Sequence, residues 1–430
     1  MSQALFIGID LGTSGCRAIA IDNDGQPVAQ ATRSMPAPLR NGVKAEQDAN
    51  IWWQAVQETM HKLLSQIQVE SVKSLAVDGT SGTLLLINDK GVPLGPALMY
   101  NDGRSQSEAA LIATKAPQES AAHGATSALA KLLHMLPGPE VSHALHQADW
   151  IIGKLSGQWG ISDENNCLKL GYDAISKCWP DWLEQLGVNK TILPKVFKPG
   201  TAVTTINQQI AMQFGLPLNT QVVAGTTDST AAFLATGANR TGEAVTSLGS
   251  TLVMKVISDR PIFSPGHGVY SQPLGDLWLV GGGSNSGGAV LLHYFSKQQL
   301  AEMTPQLKPD QATGLNYYPL INPGERFPVA DSHKPPCLTP RPENDVRFFQ
   351  AMLEGMARIE QQGYQLLAEL GAPYPVNIRS AGGGSRNPAW TEIRQTMLDV
   401  PMIEAQHQEA AYGSAMLARQ GYFPKAKYQS

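Results

Sequence analysis

Three stretches of the chain carry residue types that could act on a phosphate or a hydroxyl. The first is Asp10-Leu11-Gly12-Thr13-Ser14-Gly15-Cys16-Arg17. An acid placed directly after an apolar run can hold a cation. Gly12, Thr13 and Ser14 offer N–H and hydroxyl donors to phosphate oxygens, and Arg17 adds charge. Read only as backbone, the same string is a hairpin turn capped by Asp10. The second is Gly225-Thr226-Thr227-Asp228-Ser229, followed downstream by Leu248-Gly249-Ser250-Thr251. Asp228 stands at a strand-to-helix corner, where it could accept a proton from a substrate hydroxyl; equally, Asp228 or Ser229 could simply cap the next helix. The third is Gly382-Gly383-Gly384-Ser385-Arg386-Asn387-Pro388-Ala389-Trp390. Its glycines let a flat base or ribose lie on the backbone, Asn387 can hydrogen-bond and Trp390 can stack. The alternative is a glycine-rich loop with Asn387 as N-cap and Pro388 at the first helical position, and a helix start also suits phosphate.

Other nucleotide and metal signatures are missing from the sequence. There is no Gly-x4-Gly-Lys-Ser/Thr, no Gly-x-Gly-x-x-Gly and no His-Glu-x-x-His. Cys16, Cys167, Cys178 and Cys337 form no Cys-x-x-Cys pair. His143 and His146 read as exposed polar residues, and Trp52-Trp53 as core.

The elements that position these residues follow from hydropathy. Leu5 to Ile9 is a buried strand, Cys16 to Ile21 alternates as a second, and Pro27 to Ala31 is a third after the turn Asp22-Asn23-Asp24-Gly25. Asp48 or Asn50 caps a helix with Ile51, Val56, Met60, Leu63 and Leu64 on one face. Strands follow at Ser74 to Val77 and Thr83 to Ile87. The second half repeats the pattern: strands at 221–224, 244–247, 251–257, 277–280 and 376–381, and an amphipathic helix from Asp345 to Leu370. All three chemical stretches therefore lie beyond strand ends, where ligands of open α/β sheets bind. The expected architecture is α/β, two similar units in tandem.

Composition sets the frame. The 430 residues exceed what one core usually organises. With 32 Lys+Arg against 36 Asp+Glu the net charge is −4, unlike a nucleic-acid binder. The opening stretch lacks the basic residues of a leader, and no apolar run is long enough to span a bilayer. A cytoplasmic protein without membrane or nucleic-acid partners is expected, as monomer or homodimer.

The string Ile9-Asp10-Leu11-Gly12-Thr13-Ser14 resembles the first phosphate motif of the actin/Hsp70/sugar-kinase superfamily. Within it the chain resembles the FGGY carbohydrate kinases, through Val77-Asp78-Gly79-Thr80-Ser81-Gly82-Thr83, Tyr100-Asn101-Asp102-Gly103-Arg104, Gly225 to Ser229, Ser380 to Asn387 and Ala411-Tyr412-Gly413-Ser414-Ala415. The resemblance implies two ribonuclease H-like domains around a central cleft: 1–234, sugar-binding and carrying the first phosphate motif, and 235–430, nucleotide-binding, with the last helix packing back on the first domain. It implies transfer of the γ-phosphate of ATP to a sugar hydroxyl. Asp228 matches the general base, and Asp10 the acid serving Mg²⁺. Sugar contacts fall to Asp10, Ser81, Asp102 and Asp228. Gly12, Thr13, Ser14, Arg17, Gly249, Ser250, Thr251, Gly383, Gly384 and Asn387 match the ATP site. Two departures stand out. Lys131-Leu132-Leu133-His134 has His where the family has Trp. Asp78-Gly79-Thr80 resembles the Asp-x-Thr strand end of ribulose kinases, where xylulose kinases carry a Gln-x-x-Gly-type strand end. The chain is also shorter than typical members and resembles the compact ribulose-kinase-like group, which points to D-ribulose, with D-xylulose, another polyol or sugar, or a non-catalytic nucleotide sensor as alternatives.

Overall fold

A computed structural model of the chain describes residues 4–136 and 140–423. Met1 to Gln3, the start of the stretch read as lacking a leader, lie outside them. The chain divides into two units: Met1–Ala235 with Glu409–Ser430, and Thr236–Gln408.

In the first unit, β1 (Leu5–Leu11), β2 (Gly15–Ile21) and β3 (Pro27–Ser34) form an antiparallel meander. β1 is apolar on both faces and nearly all buried, as a central strand covered on two sides must be. Helix α1 (Ala49–Leu64) starts at Asp48, whose carboxylate accepts the Asn50 N–H, and buries Trp52, Val56, Met60 and Leu63. β4 (Val72–Gly79) then lies parallel to β1 with Asp10 opposite Asp78. Helices α2 (Ala128–Met135) and α3 (Gln147–Ser156) follow. β5 (Ala202–Thr205) is antiparallel to β6 (Gln221–Thr227), which lies parallel to β4 with Thr226 opposite Asp78. Helix α4 (Asp228–Ala235) leaves its end. Among the described residues this sheet runs β5-β6-β4-β1-β2-β3. The strands at Leu84–Ile87 and His143–His146 belong to a separate sheet.

The second unit is built the same way. β7 (Glu243–Leu248), β8 (Leu252–Ser258), β9 (Tyr270–Leu274) and β10 (Leu277–Ser284) pair antiparallel in the order β9-β10-β8-β7. Helix α5 (Asp345–Glu369) follows. β11 (Asn377–Ala381) is parallel to β7 and β12 (Met402–Ile403) is parallel to β11, with α6 (Pro388–Leu398) between them. With the edge strands β5 and β9 left out of the count, both sheets read third-second-first-fourth-fifth. Each is a ribonuclease H-like sheet. Buried Arg394 on α6 donates to both oxygens of Glu360 on α5 at 2.6 and 2.7 Å and to Ser380 Oγ at 2.6 Å, closing this core around a paired charge.

Helix α7 (Ala410–Tyr422) belongs to the first unit. It packs on β1 and α4 where glycines remove all bulk: a side chain at Gly8 would run into the backbone of Ala411 and Ala415, and one at Gly413 into the Ala231 carbonyl. Ser74 Oγ donates to the Ala418 carbonyl at 2.7 Å and Tyr412 OH to the Gly25 carbonyl at 2.8 Å. The reading of His143 and His146 as exposed is corrected: both lie on a strand, His143 half-buried and His146 fully buried with Nδ1 2.8 Å from Asp149 Oδ2. His-Ala-Leu-His sets two adjacent apolar residues between two polar ones, so no alternation marks it as a strand. No helix of the described residues is long and apolar enough to cross a membrane.

Candidate active site

The first unit gathers carboxyl groups at the carboxyl ends of three adjacent parallel strands. β4 lies between β1 and β6, so the registers Asp10↔Asp78 and Thr226↔Asp78 bring Asp10 and Asp78 side by side and start α4 with Asp228 just beyond. Asp78 is wholly buried. Its Oδ2 accepts from Ser414 Oγ on α7 at 2.5 Å, while Oδ1 meets no N–H or O–H donor. Burial, with Asp10 beside it, raises the Asp78 carboxyl well above the ordinary range. Burial also raises Asp10, against the opposing pull of Asp78 and Arg17. Asp10 and Asp228 are half-buried, and Asp228 Oδ1 accepts the Ser229 N–H at 2.6 Å at the head of α4. The capping and chemical readings of Asp228 are therefore compatible.

The Gly12 to Gly15 turn is a hairpin between paired β1 and β2. The Gly12 N–H donates to the Gly15 carbonyl at 3.0 Å, and Ser14 is exposed with Thr13 half-buried. Arg17, opposite Asp10 in the register, is ion-paired with Glu409.

The strand-end loop after β4 is held from behind. Thr80 N–H and Thr80 Oγ both donate to Gln147 Oε1, at 3.0 and 2.8 Å. The Lys131 ammonium on α2 is fully buried and donates to the carbonyls of Gly82 and Thr126 at 2.7 and 2.8 Å. Burial, with Lys169 nearby, pushes Lys131 down to about 7. Ser81 is half-buried, whereas Asp78 to Thr80, Gly82 and Thr83 are buried. On β6, Thr226 Oγ1 accepts from Asn165 Nδ2 at 3.0 Å.

Asp102 is fully buried, its oxygens engaged by the Ala45 N–H at 2.6 Å and by Arg104 at 2.6 to 3.2 Å. Burial opposes its ionisation, but the Arg104 and Ala45 hydrogen bonds outweigh it and hold the carboxyl below the usual range. Arg104 also pairs with Glu46 at 2.6 Å. His134, in the place of the expected Trp, is an exposed partner of Glu108.

The second unit holds a cavity of about 630 Å³. Gly249, Ser250, Gly383, Gly384 and Asn387 meet there, with Leu248, Leu291, Leu300 and Phe349 as apolar wall. Gly382 has φ +83°, and a side chain there would approach the Leu248 carbonyl at 3.0 Å. Asn387 Oδ1 accepts the Trp390 N–H at 3.1 Å as N-cap of α6, with Pro388 at its first position. Trp390 also lines the cavity; it is 2% exposed, packed under Gly384 and joined to the core of the unit. Thr251 is half-buried beside this loop and does not line the cavity.

Sequence reading passed over Gln147, Asn165 and Ser414 as contributors. Each acts through one hydrogen bond partner far along the chain, which no local spacing announces. Asp78 was visible as an acid at a strand end.

The N-terminal domain model of the FGGY family of carbohydrate kinases matches residues 5–134, and the C-terminal domain model residues 244–420. The xylulose kinase of Escherichia coli (strain K12) is 24% identical over 96% of this chain and 90% of its own length. The solved xylulose kinase of Rhodospirillum rubrum superposes with TM-score 0.86 at 22% identity, over 98% of this chain and 91% of its own. The gluconate kinase of Lactobacillus acidophilus does so at 0.86 and 19%, over 98% and 89%. Likeness to kinases of such different sugars fixes the fold and leaves the sugar open. With two ribonuclease H-like sheets, acids at the strand ends of one and a glycine-lined cavity in the other, the chain belongs to the FGGY family of carbohydrate kinases.

Proposed function

We propose that the chain transfers the γ-phosphate of ATP to a hydroxyl of a ketopentose, with D-ribulose the preferred substrate. The observation that carries this reading is the set of acids Asp10 and Asp78 on adjacent parallel strands and Asp228 at the helix start just beyond a third. Asp228, half-buried and close to Asp78, accepts the proton of the attacking hydroxyl as the new O–P bond forms and the bond to the ADP oxygen breaks. Phosphoryl transfer asks mainly for positioning and charge stabilisation, so an ordinary carboxylate suffices. Gly12, Thr13 and Ser14 hold the γ-phosphate, with Arg17 adding charge. Gly249, Ser250 and Thr251 form the second phosphate loop. Gly383, Gly384 and Asn387 hold the adenosine.

Mg²⁺ fits the acids present. The donors are all oxygens, and half-buried Asp10 stands at the strand end beside Asp78. Among the described residues no three His, Cys, Asp or Glu cluster as a cage. A hard ion that keeps much of its water suits such a sparse set, with Asp10 as its holder. When bound, the ion neutralises phosphate charge.

Ser81 reaches outward from the Asp78 to Thr83 loop and contacts the sugar, and Asp102 serves it by fixing Arg104. D-Ribulose is supported by the Asp-x-Thr strand end, in which Thr80 is turned inward to Gln147. D-Xylulose is the second reading, favoured by the relatives named xylulose kinase.

The test is ADP release by purified protein with ATP and Mg²⁺ over D-ribulose, D-xylulose, glycerol and gluconate. D-Ribulose is expected to give the highest kcat/KM; a higher value for D-xylulose overturns the sugar assignment. In the same assay Asp228→Asn is expected to lose about 10²–10⁴-fold in kcat while still binding nucleotide. Undiminished turnover removes Asp228 as base.

A further inference from the structure

Behind the strand-end loop runs a line of hydrogen bonds whose direction is fixed. Tyr100 N–H donates to Thr83 Oγ1 at 2.9 Å, Thr83 and Thr80 hydroxyls are 2.6 Å apart, and Thr80 Oγ1 lies 2.8 Å from Gln147 Oε1. Gln147 Oε1 also takes the Thr80 N–H at 3.0 Å. An amide oxygen only accepts, so the Thr80 hydroxyl must donate to Gln147. The Thr83 hydroxyl must then donate to Thr80, which leaves its lone pair for Tyr100.

The amide itself cannot be turned round. A reversed Gln147 would offer N–H groups to Thr80 Oγ1 but would set a donor against the Thr80 N–H. In the observed orientation Nε2 is buried and has no partner. Gln147 is wholly buried, and Gly79 lies against it: a side chain at Gly79 would come within 3.2 Å of Oε1. The residue thus gives up its own donors to hold Thr80 twice. Three segments meet in this line: the loop after β4, the segment Met99 to Asp102, and the first turn of α3. Ser81 alone of the loop reaches solvent, between the two tethered threonines.

We infer that Gln147 is the positioning residue of the sugar loop, terminating a one-way hydrogen-bond line that sets where Ser81 stands and hence how tightly the pentulose binds. The inference rests on the kinase reading above and deepens it at the sugar side. Gln147 touches no reacting atom; it acts through Thr80. Losing it costs binding made equally in ground and transition states, which raises KM and spares kcat.

The experiment uses the full chain, and as probe whichever of D-ribulose and D-xylulose the wild type phosphorylates faster. Gln147→Met removes the acceptor. The sugar KM is expected to rise about tenfold, the loss of roughly two net hydrogen bonds, with kcat and the ATP KM near wild type. Gln147→Glu keeps both acceptances without the amide donors and is expected to restore the sugar KM to within about threefold of wild type. Thr80→Val breaks the line at its middle and carries the same expected KM rise, so the inference stays testable if Gln147→Met fails to fold. A sugar KM unmoved in the folded Met and Val variants, or a Glu variant as impaired as the Met variant, overturns the assignment. An inactive wild type overturns the kinase reading and this inference with it.

Discussion

At the scale of single residues, the acids divide by environment rather than by type. Asp78, buried and bonded to Ser414, has its carboxyl raised well above the ordinary range, while Asp10 and Asp228 on its flanks remain half-open to solvent. One fully buried cation stands behind them without a carboxylate partner. Lys131 bonds only carbonyls, and burial lowers it to about 7. Its folded value lies below the unfolded value near 10.5, so between those two pH values the unfolded chain binds the extra proton and stability rises with pH. The contribution is fully present above the unfolded value and is lost as pH falls through 7. The melting temperature of the wild type minus that of Lys131→Met is therefore expected to increase from pH 6.5 to pH 9.5; a difference that shrinks over this range would contradict a depressed Lys131.

At the scale of elements, close backbone approach decides where helices dock. At Gly413 an added methyl meets the Ala231 carbonyl of α4, a backbone atom that cannot turn away. Gly413→Ala is expected to destabilise by about 1–3 kcal/mol, a melting temperature lower by roughly 3–10 °C. Gly12→Ala is the contrast. A methyl there meets nothing closer than the Gly15 carbonyl at 3.7 Å, so the melting temperature should hold while ATP use falls if the turn cradles phosphate. Calorimetry and steady-state kinetics on the two variants separate these effects. Elements with strong periodicity were readable from the sequence: β1, α1 from Asp48, and α5 from Asp345, the last ending one residue earlier than expected. What the sequence hid was partnership. Ser74 to Val77 and Thr83 to Ile87 read alike as apolar strands, yet they enter different sheets, because pairing depends on strands far away in the chain. The glycine-rich stretches were visible as strand ends, but the inward turn of Thr80 and the burial of Trp390 depend on the packing behind them, which spacing does not encode.

At the scale of the whole molecule, the second unit is one continuous segment with a core of its own, built around α5 and including Met254, Phe327 and Trp390. Expressed alone, residues 236–408 are expected to melt cooperatively and to be stabilised by ADP, since the cavity lined by Gly383 and Asn387 lies wholly within them. A non-cooperative melt would show that this core needs the rest of the chain. The first unit is instead written in two pieces, and α7 is the later one. During synthesis the sheet that α7 covers waits bare while the second unit is translated, on the order of 10–35 s at common elongation rates. For that interval the nascent chain exposes the apolar face around Gly8 and Ala76 and leaves Asp78 without Ser414. The strand-end acids therefore reach their final environment only once α7 has been made, after the segment that lines the cavity has been translated. Chaperone demand on this chain should concentrate on its earliest-made strands.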